Sequence, residues 1–98
     1  RALDLEPNNG NALNSLGFVL AETERDPRRA VDCCRRAVRV RPKSAAYLDS
    51  LGWAYYKLGR MDEAKEALRS ALNVSPGEKE ITAHLRKVMR NRPGKGTS

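Results

Sequence analysis

Leu48-Asp49-Ser50-Leu51-Gly52-Trp53-Ala54-Tyr55 is the stretch that decides the fold. Its pattern, Leu48-x-x-Leu51-Gly52-x-x-Tyr55, is written once before, as Leu13-x-x-Leu16-Gly17-x-x-Leu20. Apolar residues three and four apart share one face of a helix, so each copy predicts an amphipathic helix. Gly17 and Gly52 each cost about 1 kcal/mol relative to alanine inside a helix. That cost makes sense where a partner helix passes close to the glycine backbone. A second echo supplies the partner: Ala30-x-x-x-Cys34-x-x-Ala37 returns as Ala64-x-x-x-Leu68-x-x-Ala71. Pro7, Pro42 and Pro76 close successive units and lie 35 and 34 residues apart.

Working outward, each unit predicts a helical hairpin. Gly59-Arg60 stops one helix before Asp62-Glu63-Ala64 begins the next, and Arg25 plays the same part before Asp26-Pro27. An acid at the N-cap followed by proline in the first turn suits a helix start, because the missing proline N–H would be unsatisfied there anyway. The spacing predicts helices over 11–24, 27–40, 45–58, 61–74 and 78–91. The domain organisation expected is one domain over 1–92: the end of a truncated preceding helix at 1–7, a first repeat at 10–42, a second at 45–76, a capping helix at 78–91, and a flexible tail at 93–98. The capping role rests on Arg86, which stands where the earlier units have Gly17 and Gly52 and would clash with a closely packed partner. Ala30, Ala37, Ala64 and Ala71 are expected to face the glycines, with Leu16, Leu20, Leu51, Tyr55, Leu68 and Cys34 filling the space around them.

Composition narrows the function classes. The 98 residues are 40% hydrophobic and 32% charged, too apolar for a disordered tail and too polar for a membrane span. The first residues, Arg1-Ala2-Leu3-Asp4-Leu5-Glu6, lack the apolar core of a signal peptide. Residue 1 is not Met, so the chain is expected to be a piece of a longer protein, with any targeting signal out of sight and the exposed flank of the helix around Leu13 open to self-association. Lys and Arg number 19 against 12 Asp and Glu, a formal charge of +7, which favours acidic partners without choosing among them. Cys33 and Cys34 are adjacent, and helix neighbours point about 100° apart, so a disulfide between them is strained.

These residues resemble the tetratricopeptide repeat family, whose pattern is W-x-x-L-G-x-x-Y, A-x-x-x-F and P over about 34 residues. Here Leu13 and Leu48 replace the tryptophan, Leu20 the tyrosine of the first repeat, and Cys34 and Leu68 the phenylalanine. The first repeat carries one extra residue in the turn around Glu24 to Pro27. The signature is therefore carried by Leu16, Gly17, Ala30, Ala37 and Pro42, then by Leu51, Gly52, Tyr55, Ala64, Ala71 and Pro76. Leu48 to Trp53 and the later Glu80-Ile81-x-x-His84-Leu85 are similar to the C-terminal end of bacterial arrays. The resemblance implies an all-α, helical-hairpin solenoid: two helix pairs plus a C-terminal capping helix, stacked with a right-handed turn. It also implies a bacterial protein, in cytoplasm or periplasm, that works as a scaffold or adaptor.

Family resemblance further implies a concave groove lined by the first helix of each hairpin, holding a peptide or partner protein. The residues off the core stripe there are Asn11, Asn14 and Phe18, then Asp49, Trp53 and Tyr56, then Ala83, Lys87 and Arg90. Phe18 and Trp53 occupy equivalent places and are expected to form an aromatic shelf. Trp53, Tyr56 and Arg90 are the expected hot spots, since aromatic and arginine anchors dominate interface energies, although Trp53 suits packing between helices equally well. The two-carboxylate clamp that some family members use is missing: the matching positions hold Asn14, Phe18, Ser50, Glu80 and His84.

The alternative from another class is electrostatic binding of nucleic acid or another polyanion by the basic second helix, through Arg28, Arg29, Arg35, Arg36 and Arg39. A solvated outer face is the commoner meaning of such a run, and no aromatic interleaves with it to stack single-stranded bases. No enzyme chemistry, cofactor or metal site is expected. His84 has no second His or Cys near it in sequence and is expected to pack the last helix. Cys34 falls on a core position, with Cys33 beside it. Gly94-Lys95-Gly96-Thr97 lacks the earlier glycine and the preceding strand of a phosphate loop.

Overall fold

A computed structural model describes residues 9–90, and the expectations for 1–7 and 93–98 lie outside them. Five helices follow in order among the described residues: α1 (Gly10–Thr23), α2 (Pro27–Val40), α3 (Ala45–Leu58), α4 (Met61–Val74) and α5 (Lys79–Arg90). No strand occurs among them. Local chemistry sets the helix starts. The Asn9 side chain accepts from the Ala12 N–H at 3.0 Å, Asp26 from Arg29 at 3.2 Å and Ser44 from Tyr47 at 3.2 Å, each satisfying an N–H with no partner inside its helix. α4 has no side-chain cap, and carries Asp62 and Glu63 in its first turn, where negative charge complements the helix dipole.

The two hairpin turns differ. α3 ends on Gly59 at φ 92°, and residues 59–60 lead into α4. α1 ends on Glu24 at φ 53°, and residues 24–26 lead into α2. A left-handed residue reverses the chain at a helix end. Glycine takes that conformation freely, whereas a side-chain-bearing residue is strained by about 1–2 kcal/mol.

Helices α1 and α2 pack as one hairpin and α3 and α4 as the next, with α2 against α3, α1 against α3 and α5 against α4. Both glycines lie at the closest approach within their hairpins. A Cβ placed on Gly17 would sit 2.5 Å from Cys34 Sγ and 3.0 Å from the Ala30 carbonyl oxygen, and one on Gly52 would sit 2.6 Å from Leu68 Cγ and 3.2 Å from the Ala64 carbonyl. The facing small residues are thus Ala30 and Ala64. Ala37 and Ala71 lie one step further along and serve other contacts, Ala37 beside Leu13 and Tyr47 and Ala71 among Leu48, Ile81 and Val88. Half-buried Val38 borders every one of these buried groups, and Tyr55 and Tyr56 bridge two of them.

Leu13 is fully buried, because Tyr47 at the start of α3 closes over the beginning of α1 and packs against Gly10. The side chains around Leu13 on α1, Asn11 and Ser15, are exposed. The apolar residues that α1 does expose are Phe18 and Val19.

Candidate functional site

Helices α1, α3 and α5 present their outward residues along one side of the stack, where two clefts meet. The first, of about 330 Å³, is lined from α1 by Asn14 and Phe18, from α3 by Ala46, Asp49 and Ser50, and from the start of α5 by Glu80 and His84, with Glu78 just before that helix. The second, of about 440 Å³, is lined by Trp53 and by Ala83, His84, Arg86, Lys87 and Arg90. His84 is the wall common to both. Of the residues proposed from sequence, Asn14, Phe18, Asp49, Trp53, Ala83, Lys87 and Arg90 line these clefts. Asn11 and Tyr56 do not. The Asn11 side chain accepts a hydrogen bond from the Tyr47 hydroxyl, and Tyr56 tilts against Trp53 with ring centroids 4.9 Å apart.

The expected shelf of Phe18 beside Trp53 is not what forms. Trp53 stacks on His84, centroids 4.4 Å apart and planes 29° apart. Its indole N–H donates to Glu22 Oε2 at 2.7 Å, and Lys57 Nζ lies 5.4 Å from the ring centroid, within reach of a cation–π attraction. Trp53 retains only 7% of its exposure. Most of its ring is thus packing, with an edge at the second cleft.

His84 is more than a packing residue. Its Nδ1 lies 2.7 Å from Asp49 Oδ1, and that carboxylate raises its pKa above the ordinary imidazole value, against the opposing effect of burial. Held between Asp49 and Trp53, the imidazole ties α5 to α3. Glu24 and Lys57 make a similar tie between α1 and α3 at 3.0 Å. Sequence reasoning missed these links, yet a signal exists: Asp49 and His84 are 35 residues apart and Glu24 and Lys57 are 33 apart, each close to one repeat. One polar atom in the first cleft is left over: Asn14 Oδ1 is buried and accepts no hydrogen bond among the described residues.

The remaining chemistry-bearing residues are quiet. Burial pushes the Cys34 thiol up to about 12 and raises Cys33 as well, outweighing the nearby Arg29 and Arg36. Neither is a thiolate at neutral pH, so neither is a ready nucleophile. Arg28, Arg29, Arg35 and Arg39 are exposed and Arg36 is half-buried on one arc of α2, and none of them forms an ion pair among the described residues. No group of three or more His, Cys, Asp or Glu among those residues is placed to hold a metal ion. No helix among them is long and apolar enough to cross a membrane.

A stack of helical hairpins keyed by buried glycines, with clefts across the first helix of each, defines a helical-repeat protein. Comparison with known proteins makes the class specific. Residues 45–78 match the tetratricopeptide repeat family. A TPR repeat-containing protein of Pseudomonas aeruginosa is 39% identical over 80 residues, 82% of this chain and 13% of that protein. The probable UDP-N-acetylglucosamine–peptide N-acetylglucosaminyltransferase SPINDLY of Hordeum vulgare is 36% identical over 87 residues, 89% of this chain and 9% of that protein. Among solved structures, an O-GlcNAc transferase mutant of Thermobaculum terrenum superposes with a TM-score of 0.85 at 28% identity, over 91% of this chain and 17% of that one. The chain belongs to the tetratricopeptide repeat family, whose repeats generally mediate protein–protein interaction. It spans only a small part of each relative's length.

Proposed function

We propose that this chain is a recognition module that receives a peptide, or an extended segment of a partner protein, in the two neighbouring clefts across α1, α3 and α5, as a scaffold or adaptor unit of a larger protein. The observation that supports this most is that the two clefts lie side by side with His84 as their common wall, so that one ligand segment passing over the imidazole meets α1, α3 and α5. Preformed walls lower the ordering cost of binding.

Ala46 and Ala83 are exposed and each lines one cleft, so Ala46→Trp and Ala83→Trp fill the clefts without touching the core. Short peptides selected by display on the wild-type chain should bind the doubly filled variant at least tenfold more weakly, about 1.4 kcal/mol, while its helical circular dichroism stays as before. Undiminished binding to the filled variant would place the ligand elsewhere. The polyanion alternative is separated by neutralising Arg35, Arg36 and Arg39: weakened binding to mixed-sequence DNA, with a steep salt dependence, and intact peptide binding would make α2 a second surface and leave the clefts to the peptide.

A further inference from the structure

The two clefts carry opposite charge. Glu78 and Glu80 line the first, Glu78 with a long hydrogen bond from the Ser75 hydroxyl at 3.5 Å, and its third carboxylate, Asp49, is engaged by His84. Arg86, Lys87 and Arg90 line the second, and of these Lys87 already has a partner. Acids in the first turn and bases in the last turn of a helix also complement its dipole, and for α5 that is the minimal reading. The dipole accounts for where these residues sit along α5, not for their facing clefts that continue into α1 and α3. Opposite charges in two clefts on either side of one imidazole are a complementarity pattern, which selects partners by steering and by penalising like charge. Glu80 and Arg86 are six residues apart, about 9 Å along a helix at roughly 1.5 Å per residue. An extended peptide covers that distance in about three residues, at roughly 3.3–3.6 Å each.

We infer that the occupant of the clefts is an extended peptide segment bearing a cationic side chain about three residues from an anionic one, its cation at Glu80 and its anion at Arg86 and Arg90. This rests on the peptide reading above and deepens it: the segment recognised is bipolar, not uniformly acidic, despite the chain's net charge of +7. Much of that excess lies on α2, away from these cleft walls. Phe18, exposed at the wall of the first cleft, supplies an apolar surface for the stem of the ligand's Lys or Arg.

The test is selection from a display library of random short peptides, followed by charge exchange. Selected sequences should be enriched in Lys or Arg placed about three residues from Asp or Glu, in either order, because chain direction is not prescribed. Glu80→Lys, an exposed change, should weaken the selected peptide at least tenfold, and replacing that peptide's cation by Glu should restore binding to the variant alone. Selection of uniformly acidic or charge-indifferent peptides, or an unchanged affinity for Glu80→Lys, overturns the inference. If those same peptides still lose binding to the Ala46→Trp, Ala83→Trp variant, the clefts remain the site and only the bipolar pattern falls. If nothing is selected, or the filled variant binds as well as wild type, the peptide reading falls and the inference with it.

Discussion

Phe18 and Trp53 hold the same place in successive hairpins, yet Phe18 is 37% exposed and Trp53 only 7%. The backbones around them are alike; the neighbours are not. Trp53 meets a flat imidazole from α5, a tilted phenol from its own helix and a carboxylate from α1. The residue one repeat before His84 is Asp49, which has no ring to lay over Phe18 and is committed to His84 instead. A repeat fold thus fixes where an aromatic side chain starts, while the side chain one unit further on decides whether it ends as core or as surface.

That contrast can be broken most directly at the rings themselves. Trp53→Ala should cost about 3–5 kcal/mol, as a buried aromatic truncation does, whereas Phe18→Ala should cost less than about 1 kcal/mol, as surface changes do. Urea unfolding monitored by circular dichroism reads both, and equal losses would mean that the two places are equivalent after all. The buried faces under the glycines give the next largest difference. Leu68 and Cys34 are both fully buried, but Leu68→Ala should cost about 2–5 kcal/mol and Cys34→Ala about 1 kcal/mol, roughly one methylene's worth of burial.

The hairpin turns sharpen the comparison at smaller scale. Gly59→Ala should destabilise by about 1 kcal/mol, because the left-handed conformation strains any side chain. Glu24→Gly should stabilise by about 0.5 kcal/mol, the relief of strain exceeding the loss of an exposed ion pair with Lys57. The smallest effect is in pH. Asp49 raises the pKa of His84 in the folded chain above its ordinary value of 6.5. The contribution of this pair is therefore fully present just below about pH 6.5 and is lost as pH rises through the higher folded value. Glu22 and Glu80 add to the raising. Between about pH 6 and pH 8 the urea midpoint of the wild type should fall more than that of His84→Gln; parallel behaviour would mean that the Asp49 contact contributes nothing.

Much of the fold was legible in the residues. Helices expected over 27–40, 45–58 and 61–74 begin and end on those residues, because the signals were local: Asp26 before Pro27, Gly59-Arg60 as a stop, Asp62 and Glu63 opening the next helix. The close approach at Gly17 and Gly52 was legible too, since a glycine inside a helix needs a reason. What stayed hidden is what depends on two helices at once. The burial of Trp53 required knowing that His84 lies over it, and that of Leu13 required Tyr47, which no local pattern marks. Glu24 hid its left-handed turn because nothing in its side chain announces one. Most of the residues proposed as groove line the clefts, but their charge division across α5 becomes visible only once Glu80 and Arg86 are seen on joined walls.

The ties between hairpins have a consequence for how such arrays change by recombination. His84 finds Asp49, Trp53 finds Glu22 and Lys57 finds Glu24 only across a boundary between units. A single hairpin copied into another array would arrive with its helices intact and its side-chain couplings severed on both flanks. The smallest piece that can be transplanted with its couplings is therefore a junction, the end of one unit together with the beginning of the next.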